Sequence, residues 1–234
     1  MAAPKIRVLC LHGHGSNSQA FEAETAALRH ELGDEFEWIF AQAPVPMQPG
    51  QWSTLALLDE EIMRQPGKFY SPFDINDSTS LLKAQERLEE FVHQEGDFQL
   101  VVCESISASI VASLLQRRAE ENPDAPPLFK GAVFLAGYSP LDRDAILNAG
   151  FDIFENRALS NTQSLPIPTA NIWGSKDARH VDRSPLLAQL CNPSMNINFV
   201  HDADSMIPGA ADEEALVGAA HAIQQTVDRA MCVY

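Results

Sequence analysis

The sequence predicts an α/β fold: a mostly parallel, doubly wound sheet with helices on both faces. Three observations predict it. Short apolar runs rich in β-formers recur along the chain, amphipathic helical stretches stand between them, and several runs open straight into loops bearing glycine or proline. A chain of 234 residues, 45% of them hydrophobic, suits one domain of the larger sort with a sheet buried on both sides. Apolar residues are spread evenly, with no low-complexity tract and no fixed-period repeat, which sets aside disorder, solenoids and propellers. A single domain spanning residues 1–234 is the expectation.

Element by element, Ile6 to Leu11 reads as a buried strand entering the loop His12-Gly13-His14-Gly15. Ser18 to Leu32 has helical spacing, with Phe21, Ala26 and Leu28 for the buried side. Phe36 to Phe40 is a second strand that ends at Ala43-Pro44. The stretch from Gln51 to Asp77 is irregular and carries the exposed-looking aromatics Trp52, Phe69, Tyr70 and Phe73. Ser78 to Gln94 is an amphipathic helix with Leu81, Leu82, Leu88, Phe91 and Val92 on or near one face. Phe98 to Cys103 is the third clear strand, Ile106 to Arg118 the helix after it, and Gly131 to Ala136 the fourth strand. Ile167 to Trp173 and Ile197 to His201 are the fifth and sixth, and Asp212 to Met231 closes the chain as a helix. In such a sheet ligands bind at the carboxyl ends of the strands. The residues just after each strand therefore hold the chemistry.

Charge narrows the partners. Sixteen basic against 32 acidic residues give a net of −16, a field that repels phosphate backbones and anionic lipid. Nucleic acid and membrane surfaces are not expected partners, and the acidity needs no role beyond solubility. Cys10, Cys103, Cys191 and Cys232 have no CxxC or zinc-ribbon spacing, and Cys10 and Cys103 close apolar runs where a thiol behaves as a small hydrophobe. The apolar run Val8 to Leu11 is too short for a signal-peptide core, and no stretch reaches membrane-span length. A cytoplasmic protein is expected. No phosphate loop, Rossmann fingerprint or metal cluster is present, so no cofactor and no metal are implied.

Cys103-Glu104-Ser105-Ile106-Ser107 sits where a nucleophile elbow belongs, between a strand and a helix. There Ser105 is lifted over the sheet edge, and the Ile106 amide at the helix N-terminus faces a developing oxyanion. Cys103 and Ser107 stand where Gly-x-Ser-x-Gly has its glycines. A serine in this place can equally be a helix N-cap. The loop after the first strand fits the second half of an oxyanion hole, with residue 14 giving its amide. Asp177 follows a strand as the acid in the chain order serine, acid, histidine.

On these residues the chain resembles, essentially end to end, the FSH-type serine hydrolases of the α/β-hydrolase superfamily, which include polyketide-releasing thioesterases of fungi. The resemblance rests on Leu11 to Asn17, Ala43-Pro44, the Ser105 elbow, Phe129 to Pro140, Ile172-Trp173-Gly174-Ser175-Lys176-Asp177, and Val200 to Pro208. It implies an α/β-hydrolase fold, a short lid over about residues 45–77 and a triad of Ser105, Asp177 and a histidine at position 205. The family pattern His-x-Gly-Gly-His-x-x-Pro reads His201-Asp202-Ala203-Asp204-Ser205-Met206-Ile207-Pro208 here. Ser205 stands where the general base belongs.

Serine is no base near neutral pH, and removing the base of a serine protease costs on the order of 10⁶ in turnover. Three readings follow. Another imidazole supplies the base: His14, His201 or His180. The reading expected here, because serine holds the base position, is that the site performs non-hydrolytic carbonyl chemistry, such as cyclisation, rearrangement or C–C/C–O bond formation, on the retained oxyanion hole, with His14, Asp177 and Asp204 for proton transfer. Otherwise the protein is a silent binding module. The expected substrate is small, apolar and carbonyl-bearing, a polyketide-like compound either free or on a carrier protein. Trp52, Phe69, Tyr70 and Phe73 either line its pocket under the lid or simply pin their loop.

Overall fold

The computed structural model describes residues 4–47, 69–74, 77–138, 164–178, 181–203 and 207–233. Among the described residues eight strands run in chain order: β1 (Ile6–Leu11), β2 (Phe36–Ala41), β3 (Val45–Pro46), β4 (Tyr70–Ser71), β5 (Leu100–Glu104), β6 (Gly131–Leu135), β7 (Thr169–Gly174) and β8 (Asn196–His201). Six of them form one sheet in the order β2-β1-β5-β6-β7-β8, every neighbouring pair parallel. Parallel neighbours need crossovers, and the crossovers lay helices on the sheet. The described helices are α1 (Ser18–Glu24), α2 (Ala26–Leu32), α3 (Ser78–Glu95), α4 (Ile106–Glu121), α5 (Ser184–Leu190) and α6 (Glu213–Val233).

Side chains alternate across the sheet because successive Cβ atoms point to opposite faces. Val8, Cys10, Val102 and Leu135 meet Phe21 and Ile223 on the face covered by α1, α2 and α6. Leu9, Val101, Cys103 and Phe134 meet Val111 and Leu187 on the face covered by α3, α4 and α5. Strands β5, β6 and β7 are buried at every residue, which explains their near-continuous apolar sequence. Cys10, Cys103 and Cys191 are buried free thiols, and Cys232 is exposed. Burial pushes the pKa of Cys10, Cys103 and Cys191 upward, so they pack as neutral hydrophobes. Among the described residues no helix is long and apolar enough to cross a membrane.

Two local departures from the sequence expectation have simple causes. The stretch 18–32 is two helices, because the Thr25 hydroxyl donates to the Phe21 carbonyl (2.7 Å) and its backbone turns to φ −86°, ψ 1°. Within the segment expected as a lid, β3 pairs antiparallel with β4. Tyr70 of β4 is then tied to the loop after β1: the Gly15 N–H donates to the Tyr70 carbonyl and the Tyr70 N–H to the Ser16 carbonyl, both at 2.9 Å. Two-residue strands leave no periodic signal for sequence reading to find.

The end of β6 is packed too closely for any side chain larger than hydrogen. A Cβ on Gly137 would lie 2.6 Å from Leu187 Cδ2, 2.9 Å from Ala108 Cβ and 3.1 Å from Phe134 Cβ. Gly137→Ala is therefore expected to destabilise the protein by about 1–3 kcal/mol through overpacking. A fall in the urea midpoint at unchanged slope checks it, and an unchanged midpoint refutes the close packing of α4 on β6.

Candidate active site

Glu104 ends β5 and Ile106 begins α4, so Ser105 alone makes the turn. It does so at φ 53°, ψ −120°, in the left-handed region that non-glycine residues avoid. Such a conformation costs on the order of 1–3 kcal/mol and persists only where neighbours over-determine it. They do so here. The Ser105 N–H donates to the Leu135 carbonyl (2.9 Å), and its carbonyl accepts the N–H groups of Ala108 (3.1 Å) and Tyr138 (3.2 Å). Ser105 makes no side-chain cap bond to α4, so N-capping does not account for it.

The loop after β1 lies against this turn: a Cβ on Gly13 would sit 3.1 Å from Ser105 Cβ. The residues flanking the serine hold it there. The Gly13 N–H donates to Glu104 Oε2 (2.9 Å), and the Ser107 hydroxyl donates to the His12 carbonyl (2.6 Å). Buried His12 braces the other side. Its Nδ1–H donates to the Gly13 carbonyl (2.8 Å) and its Nε2 accepts the Ala43 N–H (3.1 Å), which fixes a neutral imidazole. Burial lowers its pKa accordingly, against the opposing pull of the Gly13 carbonyl. Among the described residues the N–H groups of His14 and Ile106 have no hydrogen-bond partner.

His14 is half-buried, and its Nδ1 lies 2.9 Å from Ser71 Oγ. The Ser71 hydroxyl has one proton, which it donates to the Phe73 carbonyl at 2.6 Å. The imidazole must therefore be the donor at Nδ1, and Nε2 carries a lone pair. Burial depresses the His14 pKa below the ordinary imidazole value, so the ring is neutral near pH 7. A hydrogen-bonded Nδ1 and a basic Nε2 are what a general base needs.

The other sequence candidates fall into separate places. Asp177 is 2% exposed just beyond β7, its N–H on the Gly174 carbonyl (3.3 Å) and its carbonyl accepting the Val181 N–H (2.9 Å). His201 ends β8, three strands from β5, or about 14 Å across the sheet at ordinary strand spacing. It is 3% exposed and packs beside Phe199, and among the described residues neither ring nitrogen has a hydrogen-bond partner. Burial lowers its pKa, partly offset by Asp212 and Asp177. That separation takes His201 away from Ser105. His180, Asp204, Ser205 and Trp52 lie outside the described residues.

The aromatics read from sequence as exposed are largely covered. Phe73 is 1% exposed and packs with Leu81, Ile106 and Ile110, so it pins its loop to α3 and α4. Phe69 is buried and Tyr70 half-buried. A cavity of about 500 Å³ lies instead behind the His12 loop, lined by residues including Leu11, Gln42, Leu88, Phe91 and Ile110, and by neither Phe69, Tyr70 nor Phe73. Sequence reading missed Glu104, His12 and Ser71. Only Glu104 left a trace, as an acid at the end of the apolar run Leu100 to Cys103.

A parallel sheet with a strained serine between its central strand and the next helix, and an acid after β7, defines an α/β-hydrolase-fold enzyme. The carboxylesterases of Mesorhizobium loti (TM-score 0.60, 15% identity, 97% of this chain and 90% of that one) and Bacillus cereus (0.56, 17%, 94% and 89%) share this fold. The family described as serine hydrolase (FSH1) matches residues 1–216, and the chain belongs to it. Among relatives, esterase FPY3 of Fusarium mangiferae is 30% identical over 230 residues, covering 97% of this chain and 99% of that one. The probable esterase tazC of Aspergillus terreus is 30% identical over 217 residues and 82% of each chain.

Proposed function

We propose that this enzyme hydrolyses an ester or thioester of a small, apolar, polyketide-like acyl compound. Ser105 is the nucleophile and His14 the base. Ser105 Oγ attacks the carbonyl carbon while its proton passes to His14 Nε2. The amides of His14 and Ile106 receive the oxyanion, and collapse expels the alcohol or thiol with that proton. Water then releases the acid by the same route. What carries the reading is the backbone of Ser105, held at φ 53° by three hydrogen bonds with no capping role to explain it. The esterase names of the fungal relatives support the reaction class.

A second reading keeps the same parts. With a substrate carbonyl on the two amides, His14 Nε2 removes a proton from the adjacent carbon, and the enolate closes a ring or rearranges. The serine at position 205 favours it, because this chemistry does not ask Ser105 to ionise.

The base is tested through pH. A group whose pKa is depressed by burial stays neutral, and so active, to lower pH than a free imidazole. Turnover of p-nitrophenyl esters and N-acetylcysteamine thioesters is expected to fall on the acid side with an apparent pKa below about 6.5. His14→Gln should cut kcat by about 10²-fold or more and remove that limb. A His14→Gln enzyme with wild-type kcat and the same acid limb sinks the assignment.

A further inference from the structure

The carboxylate immediately before the nucleophile is buried, 3% exposed, and accepts a backbone N–H from the facing loop. Nothing in the chemistry just described uses it. We infer that Glu104 is a positioning residue: by taking the Gly13 N–H it sets the loop so that the next amide, that of His14, is left over for the substrate.

The geometry supports this from both sides of the loop. Every polar backbone group between the His12 carbonyl and the Gly13 carbonyl is committed: His12 O to the Ser107 hydroxyl, Gly13 N–H to Glu104, Gly13 O to the His12 ring. The first amide without a partner is that of His14. Among the described residues Glu104 Oε2 is the acceptor for the Gly13 N–H, so a side chain without an oxygen there leaves a buried amide unpaired. A side chain at Gly13 would press on this contact, with Ser105 Cβ 3.1 Å and Glu104 Cδ 3.4 Å from where its Cβ would be. Loop, acid and serine therefore move as one body, and Glu104 acts through the loop without touching substrate.

The proposal rests on Ser105 as nucleophile, so two readouts are needed. In the full-length protein, Glu104→Leu fills the site without an acceptor and Glu104→Gln keeps a neutral one. The labelling rate of Ser105 by a fluorophosphonate probe, and kcat for p-nitrophenyl acetate, are expected to fall about 10²-fold in Glu104→Leu and about 3- to 10-fold in Glu104→Gln. KM should stay within twofold in both. Amide hydrogen exchange at Gly13, followed by NMR, should accelerate in the same order. Should Glu104→Leu not fold, Glu104→Gln carries the test alone. Wild-type exchange at Gly13 and wild-type labelling in a folded variant overturn the proposal, as does a loss of kcat with unchanged Gly13 exchange. Absence of labelling in the wild type would instead count against Ser105 as nucleophile, and Gly13 exchange then decides the role of Glu104 by itself.

Discussion

Ser105→Ala is expected to abolish ester turnover and all fluorophosphonate labelling, with kcat down by at least about 10³-fold. The alanine keeps the backbone, the two free amides and His14, so what is lost is the nucleophile alone. This makes the variant the arbiter between hydrolysis and enolate chemistry. Hydrolysis forms a bond to Ser105 Oγ and cannot proceed without it, whereas proton removal beside a carbonyl needs only His14 and the amide donors. Conversion of a polyketide-like substrate by Ser105→Ala at the wild-type rate would falsify the esterase reading and leave the second one standing. A companion variant reports on the strain. Ser105→Gly removes the side-chain penalty at φ 53° and is expected to stabilise the protein by about 1 kcal/mol while remaining inactive.

In a His14→Gln background, Ser205→His is expected to raise kcat for ester hydrolysis by about 10²-fold or more, within the range over which general-base catalysis operates. The segment that carries position 205 is fastened beside Asp177 at its start. The Ser175 N–H donates to the His201 carbonyl (2.8 Å) and the Lys176 N–H to the Ala203 carbonyl (3.2 Å). Ala203 thus lies beside the turn that presents the buried acid. The gained activity should depend on that acid, so Asp177→Asn added to the double variant should remove it, and the double variant's pH profile should show an added limb near pH 7. No gain in the folded double variant would mean that Asp177 and Ser105 are not arranged around position 205.

Much of the fold was legible because burial on both faces makes β5, β6 and β7 largely apolar runs, and because helical stretches recur along the chain. The positions of Ser105 and Asp177 were legible for a related reason: each closely follows a buried strand, Ser105 directly and Asp177 a short turn later, where a doubly wound sheet places its ligands. The break at Thr25 was not, since one hydroxyl bonding back to the Phe21 carbonyl leaves the helical spacing of the sequence intact. The burial of Phe73 and the pairing of Glu104 with Gly13 are contacts between segments distant in sequence, and no local pattern encodes them. His201 shows the same limit. Its proximity in sequence to position 205 suggested a substitute base, but strand order puts it three strands from the serine.

The strand order also has a consequence for how the chain is made. β1 gains β2 early, but its other edge, Val8 to Leu11, pairs with Leu100 to Cys103 and must wait until those residues emerge. Long-range parallel pairing of this kind folds slowly and leaves sticky apolar edges bare in the meantime. The nascent polypeptide is therefore most prone to aggregate before β5 is synthesised, and chaperone dependence should concentrate in that interval.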